Sequence, residues 1–254
     1  SRGKPNVEVS ISLGGIVQTD EVPSGASTGV HEAFSIKASE AVDDINNEIS
    51  RNILGKEFDQ KTLDEFLISL DGTKNKSRLG ENAILAVSLA FARASSIEKS
   101  LELYEYIGEL SQNKNFKIPQ PMFNIVNGGK HADSGLDFQE FMICPMLFET
   151  IGQKIEVCQK IITSLKNVLQ SKGYEISLGD EGGFAPKLGS NEEALDLIVL
   201  AIKNAGFTTE EIKLALDVAS STFYKNGKYE LKTGGERVKN KDEMMEWYEE
   251  LVKK

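Results

Sequence analysis

The residues with the clearest chemical potential lie in a glycine-rich turn at residues 179–186, which reads Gly-Asp-Glu-Gly-Gly-Phe-Ala-Pro. The turn places two adjacent carboxylates, Asp180 and Glu181, at its mouth. Glycines there allow positive φ and the close approach of a ligand to the backbone. A carboxylate held in this way can donate or accept a proton or bind a metal ion, and the alternative is an acidic surface turn.

Three further ionisable residues fall at the ends of predicted strands in the second half of the chain: His131, Glu140 and Asp217. Asp217 directly follows the apolar residues 214–216. Because burying an unpaired carboxylate costs several kcal/mol, Asp217 predicts a metal ion, a base or hydrogen bonds around it, although a helix cap or salt bridge would also explain it. Carboxylates with other oxygen donors suit Mg²⁺, whereas a lone histidine such as His131 is more often structural.

The small-residue loop at residues 24–29, Ser-Gly-Ala-Ser-Thr-Gly, is the remaining candidate. Small residues allow a mobile lid, and exposed amides and hydroxyls can bind oxyanions or complete a metal shell. A flexible loop without such a role is the alternative. No Gly-x-x-x-x-Gly-Lys-Ser/Thr motif occurs, which disfavours a P-loop nucleotide site.

The elements that would position these residues begin with strands and continue with helices. Residues 7–13 alternate apolar and polar side chains, Gly14-Gly15 predicts a hairpin turn, and residues 16–19 form the return strand. A third strand is predicted at residues 33–36. Apolar periodicity then predicts helices at residues 39–53, 59–70 and 81–95. Strands followed by helices predict an α+β unit.

The second half of the chain changes in style after Pro119 and Pro121. Short apolar runs alternate there with predicted helices at residues 148–172, 191–205 and 241–253. Strand–turn–helix alternation with functional residues at strand ends is typical of a β/α barrel, although a doubly wound sheet would give a similar pattern.

The composition is that of an ordinary globular protein, with a net charge of −10 over 254 residues. Such a charge repels polyanions, so we expect no nucleic-acid partner, while a small anionic substrate stays open because a local metal or lysine can reverse the potential. Cys144 and Cys158 show no disulfide or metal-site spacing, which predicts a reducing, cytoplasmic setting. We expect no membrane span, because no apolar run reaches about 18 residues, and the N-terminus lacks the layout of a signal peptide.

Taken together and in chain order, these segments resemble the enolase family. Residues 1–9 resemble the opening strand motif of the family, and residues 22–29 resemble its mobile active-site loop. Residues 70–77 and 82–85 resemble its capping-domain helices. The segments that resemble its barrel loops are residues 127–133, 139–143 and 179–186. The resemblance covers essentially the whole chain.

The resemblance implies an α/β fold, with an α+β capping domain at residues 1–112 and the first part of an enolase-type β/α barrel at residues 118–254. It also implies the enolase reaction of glycolysis, which is the Mg²⁺-dependent, reversible dehydration of 2-phosphoglycerate to phosphoenolpyruvate, and a homodimer in the cytoplasm. A lysine or histidine base with Mg²⁺ ions that stabilise an ene-diolate is the established chemistry of the superfamily.

Each site role is implied by a motif match. Glu181 is similar to the general acid that helps hydroxide leave C3, and Glu140 is similar to its carboxylate partner around that hydroxyl. Asp217 resembles the first of three carboxylate ligands of the structural Mg²⁺, and Ser27 resembles a ligand of the second Mg²⁺. The residues similar to the substrate-binding positions of the family are His131, Gln139, Glu140 and Ala26.

The chain also departs from the family pattern. It starts without a methionine and stops at Lys254, before the strand that carries the second carboxylate ligand in the family. The third ligand, the catalytic lysine and the phosphate-holding residues have no counterpart in it. We therefore expect about the first three-fifths of an enolase, inactive alone. The alternative is a truncated, non-catalytic enolase-like paralogue with a binding or assembly role. A superfamily relative that acts on another acid fits the retained loops 22–29 and 179–186 less well.

Overall fold

The computed structural model describes Gly3, residues 5–23, Gly25, residues 29–235 and residues 237–254. The chain divides into two compact units, Ser1–Lys117 and Ile118–Lys254, which we call the N-terminal unit and the C-terminal unit. The domain bounds expected from the sequence, 1–112 and 118–254, stay a prediction.

The N-terminal unit opens with the predicted hairpin. Strand β1 (Val7–Leu13) pairs antiparallel with β2 (Ile16–Val22), and Leu13 lies opposite Ile16. Both residues of the connecting turn have positive φ, +58° at Gly14 and +89° at Gly15. Glycine adopts this conformation without strain, and its twist matches that of the flanking strands. The hairpin prediction is therefore confirmed.

A layer of helices covers this hairpin. The predicted helix at residues 39–53 is confirmed, but it is interrupted: α1 (Ala38–Asp44) passes through a π-helical stretch, Ile45–Ile49, into α2 (Ser50–Ile53). The next helices are α3 (Gln60–Asp71) and α4 (Glu81–Glu98), and α4 packs on both strands of the hairpin. The sequence did not predict α5 (Leu103–Ser111).

The third strand expected at residues 33–36 is wrong. This segment is extended, but it pairs with loop and helix groups rather than with a strand. The Phe34 amide donates to the Asn75 carbonyl, and the Phe34 carbonyl accepts from the Glu81 amide. The side chain of Asn82 then accepts from the Ile36 amide and donates to its carbonyl. These bonds satisfy the backbone without a sheet.

The C-terminal unit is built on a small antiparallel sheet in the order β3 (Phe123–Asn127), β4 (Glu140–Pro145) and β5 (Ile212–Asp217). The helices of this unit are α6 (Ile151–Ser171), α7 (Asn191–Asn204) and α8 (Lys241–Lys253). The sequence predicted these helices to within a few residues, and the strands coincide with its short apolar runs. One hydrophobic core joins strand residues such as Phe141 and Ile143 to Ile161 of α6 and Ile198 of α7.

A second small sheet follows β5 and was not predicted. It comprises β6 (Tyr224–Lys225), β7 (Lys228–Glu230) and β8 (Val238–Lys239), after a short 3₁₀ turn at Ser220–Thr222. Its strands are too short to show a period in the sequence. Among the helices of the described residues, none is long and apolar enough to cross a membrane.

Candidate active site

One edge of the β3–β4–β5 sheet gathers the predicted site residues. Strand β3 ends at Asn127, β4 begins at Glu140 and β5 ends at Asp217, and these three residues lie opposite one another in the register. Glu140 was expected at the end of a strand and lies at the start of one. Because β4 runs antiparallel to both neighbours, its first residue meets the last residues of β3 and β5.

The loop after β3 and the 179–186 turn bring two more groups to this edge. The Asp180 amide donates to the His131 carbonyl at 3.0 Å, which joins the turn to the loop. The Nδ1 atom of His131 then lies 3.4 Å from Glu140 Oε1 and 3.6 Å from Glu181 Oε2. The structure therefore brings together three residues from different segments of the chain: His131, Glu140 and Glu181.

This cluster combines burial with like charge. The His131 side chain is 3% exposed, that of Glu140 is 18% exposed and that of Glu181 is 35% exposed. Burial, a hydrogen bond shared with Glu181 and the negative charges of Glu181 and Asp217 raise the pKa of Glu140 to about 7. Near neutral pH the Glu140 carboxyl can therefore carry a proton and share it in the hydrogen bond with Glu181.

Asp217 is held by polar contacts on both of its oxygens. The Gln139 side chain donates to Oδ2 at 3.0 Å, and the Ala219 amide donates to Oδ1 at 3.0 Å. A carboxylate has about four acceptor positions, so these bonds leave room for a cation. Gln139 Oε1 is a buried carbonyl oxygen with no hydrogen-bond partner among the described residues. Such oxygen donors fit Mg²⁺.

The cluster of His131, Glu140 and Glu181 also has the spacing of a metal site, because one ligand atom from each lies within 4.8 Å of the others. Its donor set includes an imidazole nitrogen. Nitrogen donors suit zinc and other transition metals better than magnesium. Of the two places, Asp217 is therefore the better match for Mg²⁺, and the cluster is the better match for proton transfer.

Two asparagines of β3 belong to the same site and were not predicted. The side-chain amide of Asn124 donates to Glu181 Oε2 at 3.4 Å. Asn127 is fully buried. Among the residues that the structure describes, six buried side-chain polar atoms lack a hydrogen-bond partner, and five of them belong to Asn124, Asn127, His131 and Gln139. Native proteins leave few such atoms unsatisfied, so their concentration here indicates a functional site. The motif Asn-Gly-Gly at residues 127–129 was the available signal.

Two other predicted site residues, Ala26 and Ser27, lie outside the described residues. Their expected contacts with substrate and with a second Mg²⁺ stay predictions.

An acid pair beside a histidine at a sheet edge is an arrangement suited to general acid chemistry. Comparison with known families then specifies it. Residues 1–107 match the family described as "Enolase, N-terminal domain". Residues 115–254 match "Enolase, C-terminal TIM barrel domain". The chain therefore belongs to the enolase family, a family of lyase-type enzymes.

These matches confirm the resemblance found in the sequence. They also confirm the fold class, an α/β chain with an enolase N-terminal domain followed by residues of the enolase barrel.

Proposed function

We propose that these residues provide the acid side of an enolase site, which catalyses the Mg²⁺-dependent, reversible dehydration of 2-phosphoglycerate to phosphoenolpyruvate in glycolysis. The observation that carries the proposal is the meeting of Glu140 and Glu181 at Nδ1 of His131, 3.4 Å and 3.6 Å away. The choice of 2-phosphoglycerate as substrate rests on membership of the enolase family.

The chemistry of the acid pair follows from its protonation. Dehydration breaks the C2–H bond, forms the C2–C3 double bond and breaks the C3–O bond. Hydroxide is a poor leaving group, but a proton from the Glu181 carboxyl converts it into water. Glu140 has its pKa raised to about 7 and shares a hydrogen bond with Glu181, so it is placed to pass its proton to Glu181 near neutral pH. In the reverse direction the Glu181 carboxylate takes a proton from the attacking water.

The remaining groups bind and orient the substrate. His131 is held beside both carboxyls and is buried, so it can bind the substrate at the reacting hydroxyl without competing solvent. Asp217, which Gln139 orients by a 3.0 Å hydrogen bond, would hold Mg²⁺, with Ser27 as a proposed ligand of a second ion. Bound Mg²⁺ supplies positive charge that stabilises negative charge developing on the substrate. Ala26 and Gln139 are proposed to complete the substrate contacts.

We expect the polypeptide of residues 1–254 to be inactive by itself. The resemblance assigns removal of the C2 proton to a lysine that no position of this sequence matches. Purified 1–254 should give no Mg²⁺-dependent formation of phosphoenolpyruvate from 2-phosphoglycerate, followed by ultraviolet absorbance. Turnover by the polypeptide alone would overturn this expectation.

A chimera tests the proposed reaction itself. Residues 1–254 are joined to the remaining barrel residues of an enolase of known activity, and the chimera should convert 2-phosphoglycerate in a Mg²⁺-dependent manner. Glu181→Gln should then lower kcat by about 10²- to 10⁴-fold, the usual contribution of a general acid. Glu175→Gln, at an exposed carboxyl before the turn, is the matched control and should keep full activity. Full activity in Glu181→Gln would refute the assignment.

A further inference from the structure

The register of β3 against β4 contains one extra residue. Asn127 lies opposite Glu140, Val126 opposite Phe141 and Asn124 opposite Met142, so Ile125 has no partner on β4. This is a β-bulge. In a regular strand, residues three apart point to opposite faces. Here the extra residue places Asn124 and Asn127 on the same face.

That face is the one on which the acids lie. Residues directly opposite in a sheet share a face, and Glu140 and Met142 are two residues apart on β4. Asn124 and Asn127 therefore lie on the face of Glu140, while Val126 and Phe141 point to the other face, into the helix-side core. The bulge thus directs two neutral carboxamides toward the acid site.

The Asn127 side chain fits tightly into the turn that carries Glu181. A Cβ on Gly183 would lie 2.0 Å from Asn127 Oδ1, and a Cβ on Gly179 would lie 2.7 Å from Asn127 Cβ. Only glycine allows this approach at either position. The hydrogen that Gly183 has in place of a Cβ faces the oxygen, as in a weak Cα–H···O contact.

Backbone hydrogen bonds fix the turn around this side chain. The Asn127 amide donates to the Phe184 carbonyl at 2.8 Å, and the Phe184 amide donates to the Ile125 carbonyl at 2.9 Å. Within the turn, the Gly179 amide donates to the Gly183 carbonyl at 2.8 Å. Asn124 adds the 3.4 Å contact to Glu181 Oε2.

A carboxamide in this position is energetically unfavourable if it only fills space. Neither Nδ2 nor Oδ1 of Asn127 has a hydrogen-bond partner among the described residues, and buried unpaired polar groups destabilise a fold. We propose that Asn127, assisted by Asn124, is a positioning residue that holds residues 179–183 and thereby places Glu181 beside Glu140 and His131. This inference deepens the proposed function, and its test does not require turnover.

A double-mutant cycle read by amide hydrogen exchange tests the inference in the 254-residue chain. Asn127→Ala and Gly183→Ala should each lower the protection of the Gly179 and Asp180 amides by about ten-fold or more relative to that of Phe141, because local opening exposes only the turn. The double variant should lose no more than the worse single variant, since Asn127→Ala removes the oxygen that the methyl group introduced by Gly183→Ala would strike. Additive losses, or turn amides as protected as in the parent, would overturn the proposal.

Two further variants separate positioning from general destabilisation. Ile161→Ala removes a buried side chain of α6 from the same hydrophobic core, and it should not lower turn protection relative to Phe141. Asn124→Leu is a milder change that also serves if Asn127→Ala fails to fold. It should shift the ¹³C resonance of the Glu181 carboxyl at fixed pH and leave that of Glu193 in place. An unshifted Glu181 resonance counts against the proposal. None of these measurements depends on 2-phosphoglycerate, so their failure is distinct from failure of the proposed reaction.

Discussion

Two buried carboxyls, one in each unit, have opposite electrostatic properties. Asp71, at the end of α3, accepts hydrogen bonds from the amides of Thr73 (2.9 Å), Arg78 (3.1 Å) and Leu79 (2.7 Å) and from the Thr73 hydroxyl. Glu140 faces another acid, Glu181. Burial acts to raise the pKa of both carboxyls and is the largest influence on each. Nevertheless the pKa of Asp71 is lowered, and that of Glu140 is raised to about 7.

The difference lies in the partners: burial raises the pKa of both carboxyls, hydrogen-bond donors outweigh it at Asp71, and a second acid adds to it at Glu140. A carboxyl surrounded by amide donors is stabilised as an anion and fixes the chain locally. A carboxyl that meets a second acid keeps a proton and is available for chemistry. Asp137, in the C-terminal unit, also accepts hydrogen bonds from amide donors and lies only three residues from Glu140. The two kinds of environment can therefore occur side by side.

Removing Asp137 should have the largest effect on stability. Its carboxylate accepts from the Lys232 amide (2.6 Å), the Thr233 amide (3.2 Å) and hydroxyl (3.0 Å), and Asn191 Nδ2 (3.2 Å). Asp137→Ala leaves these donors buried without an acceptor, which should cost about 4 kcal/mol. Urea unfolding followed by fluorescence of Trp247, the only tryptophan, reports on this unit.

The control for Asp137→Ala is Asp133→Ala, at an exposed carboxyl of the same loop. It should change the free energy of unfolding by less than about 0.5 kcal/mol. Equal losses from both variants would show that the donors around Asp137 contribute nothing particular.

Asp71→Asn should destabilise the N-terminal unit by about 3 kcal/mol at neutral pH, because the new NH₂ group faces amide donors and leaves some of them unpaired. Thermal melting with amide exchange at Leu79 measures the loss, and Asp43→Asn, on an exposed residue of α1, is the control. In the parent, the stabilisation from Asp71 is fully present above its unfolded pKa of 3.8 and is lost as the pH falls through its lower folded pKa. If Asp71→Asn were as stable as the parent, the donors around Asp71 would not stabilise the fold through its carboxylate.

Glu140→Gln should stabilise the protein above neutral pH, whereas Asp71→Asn destabilises it. The folded pKa of about 7 exceeds the unfolded value of 4.5, so the folded state holds the extra proton between these values. The stability that this proton provides is complete below pH 4.5 and is lost as the pH rises through 7. Glutamine carries no charge to bury, so at pH 8 the variant should be more stable than the parent by about 2 kcal/mol.

The pH dependence of the free energy of unfolding tests this variant more directly than its stability at a single pH. Between pH 4.5 and pH 8 the difference between parent and Glu140→Gln should grow, whereas Glu175→Gln should run parallel to the parent throughout. Trp247 fluorescence follows all three proteins. If the parent and Glu140→Gln changed in stability by the same amount between pH 4.5 and pH 8, the raised pKa of Glu140 would be refuted.

The smallest effect is expected at the two cysteines, where burial is the main cause of the raised pKa. Burial raises the pKa of Cys144, and it raises the pKa of Cys158 to about 12, with a lesser contribution from Cys144. At pH 8 neither thiol should react with a thiol reagent in the folded protein, and both should react at once after unfolding. Rapid labelling of the native chain would show that these sites are more open than their burial indicates.

The sequence predicted much of the fold because its signals are local. Asp59 and Ser190 cap α3 and α7 as their residue types favour, and Gly14-Gly15 forms the expected hairpin. The extended segment at residues 33–36 was misread because its partners are the Asn75 carbonyl and the Asn82 side chain. Such partners are set by tertiary contacts, which no period reveals.

The site was predicted in part for the same reason. Carboxylates next to apolar residues pointed to Glu140 and Asp217, the glycine-rich turn pointed to Glu181, and family resemblance gave all three their roles. Asn124 and Asn127 were not predicted as site residues. A strand period of two places them on opposite faces, and only the bulge at Ile125 brings them to the same face. The antiparallel direction of β4, which places Glu140 at a strand start, was likewise outside the reach of the sequence.

The central claim is that Glu140 keeps its proton up to near neutral pH because it is buried beside a second acid, Glu181. The direct test is a ¹³C nuclear magnetic resonance titration of the Glu140 side-chain carboxyl in the 254-residue chain, without divalent cations. We predict a midpoint near pH 7 for this carboxyl. A titration complete near the ordinary glutamate value of about 4.3 would contradict the claim.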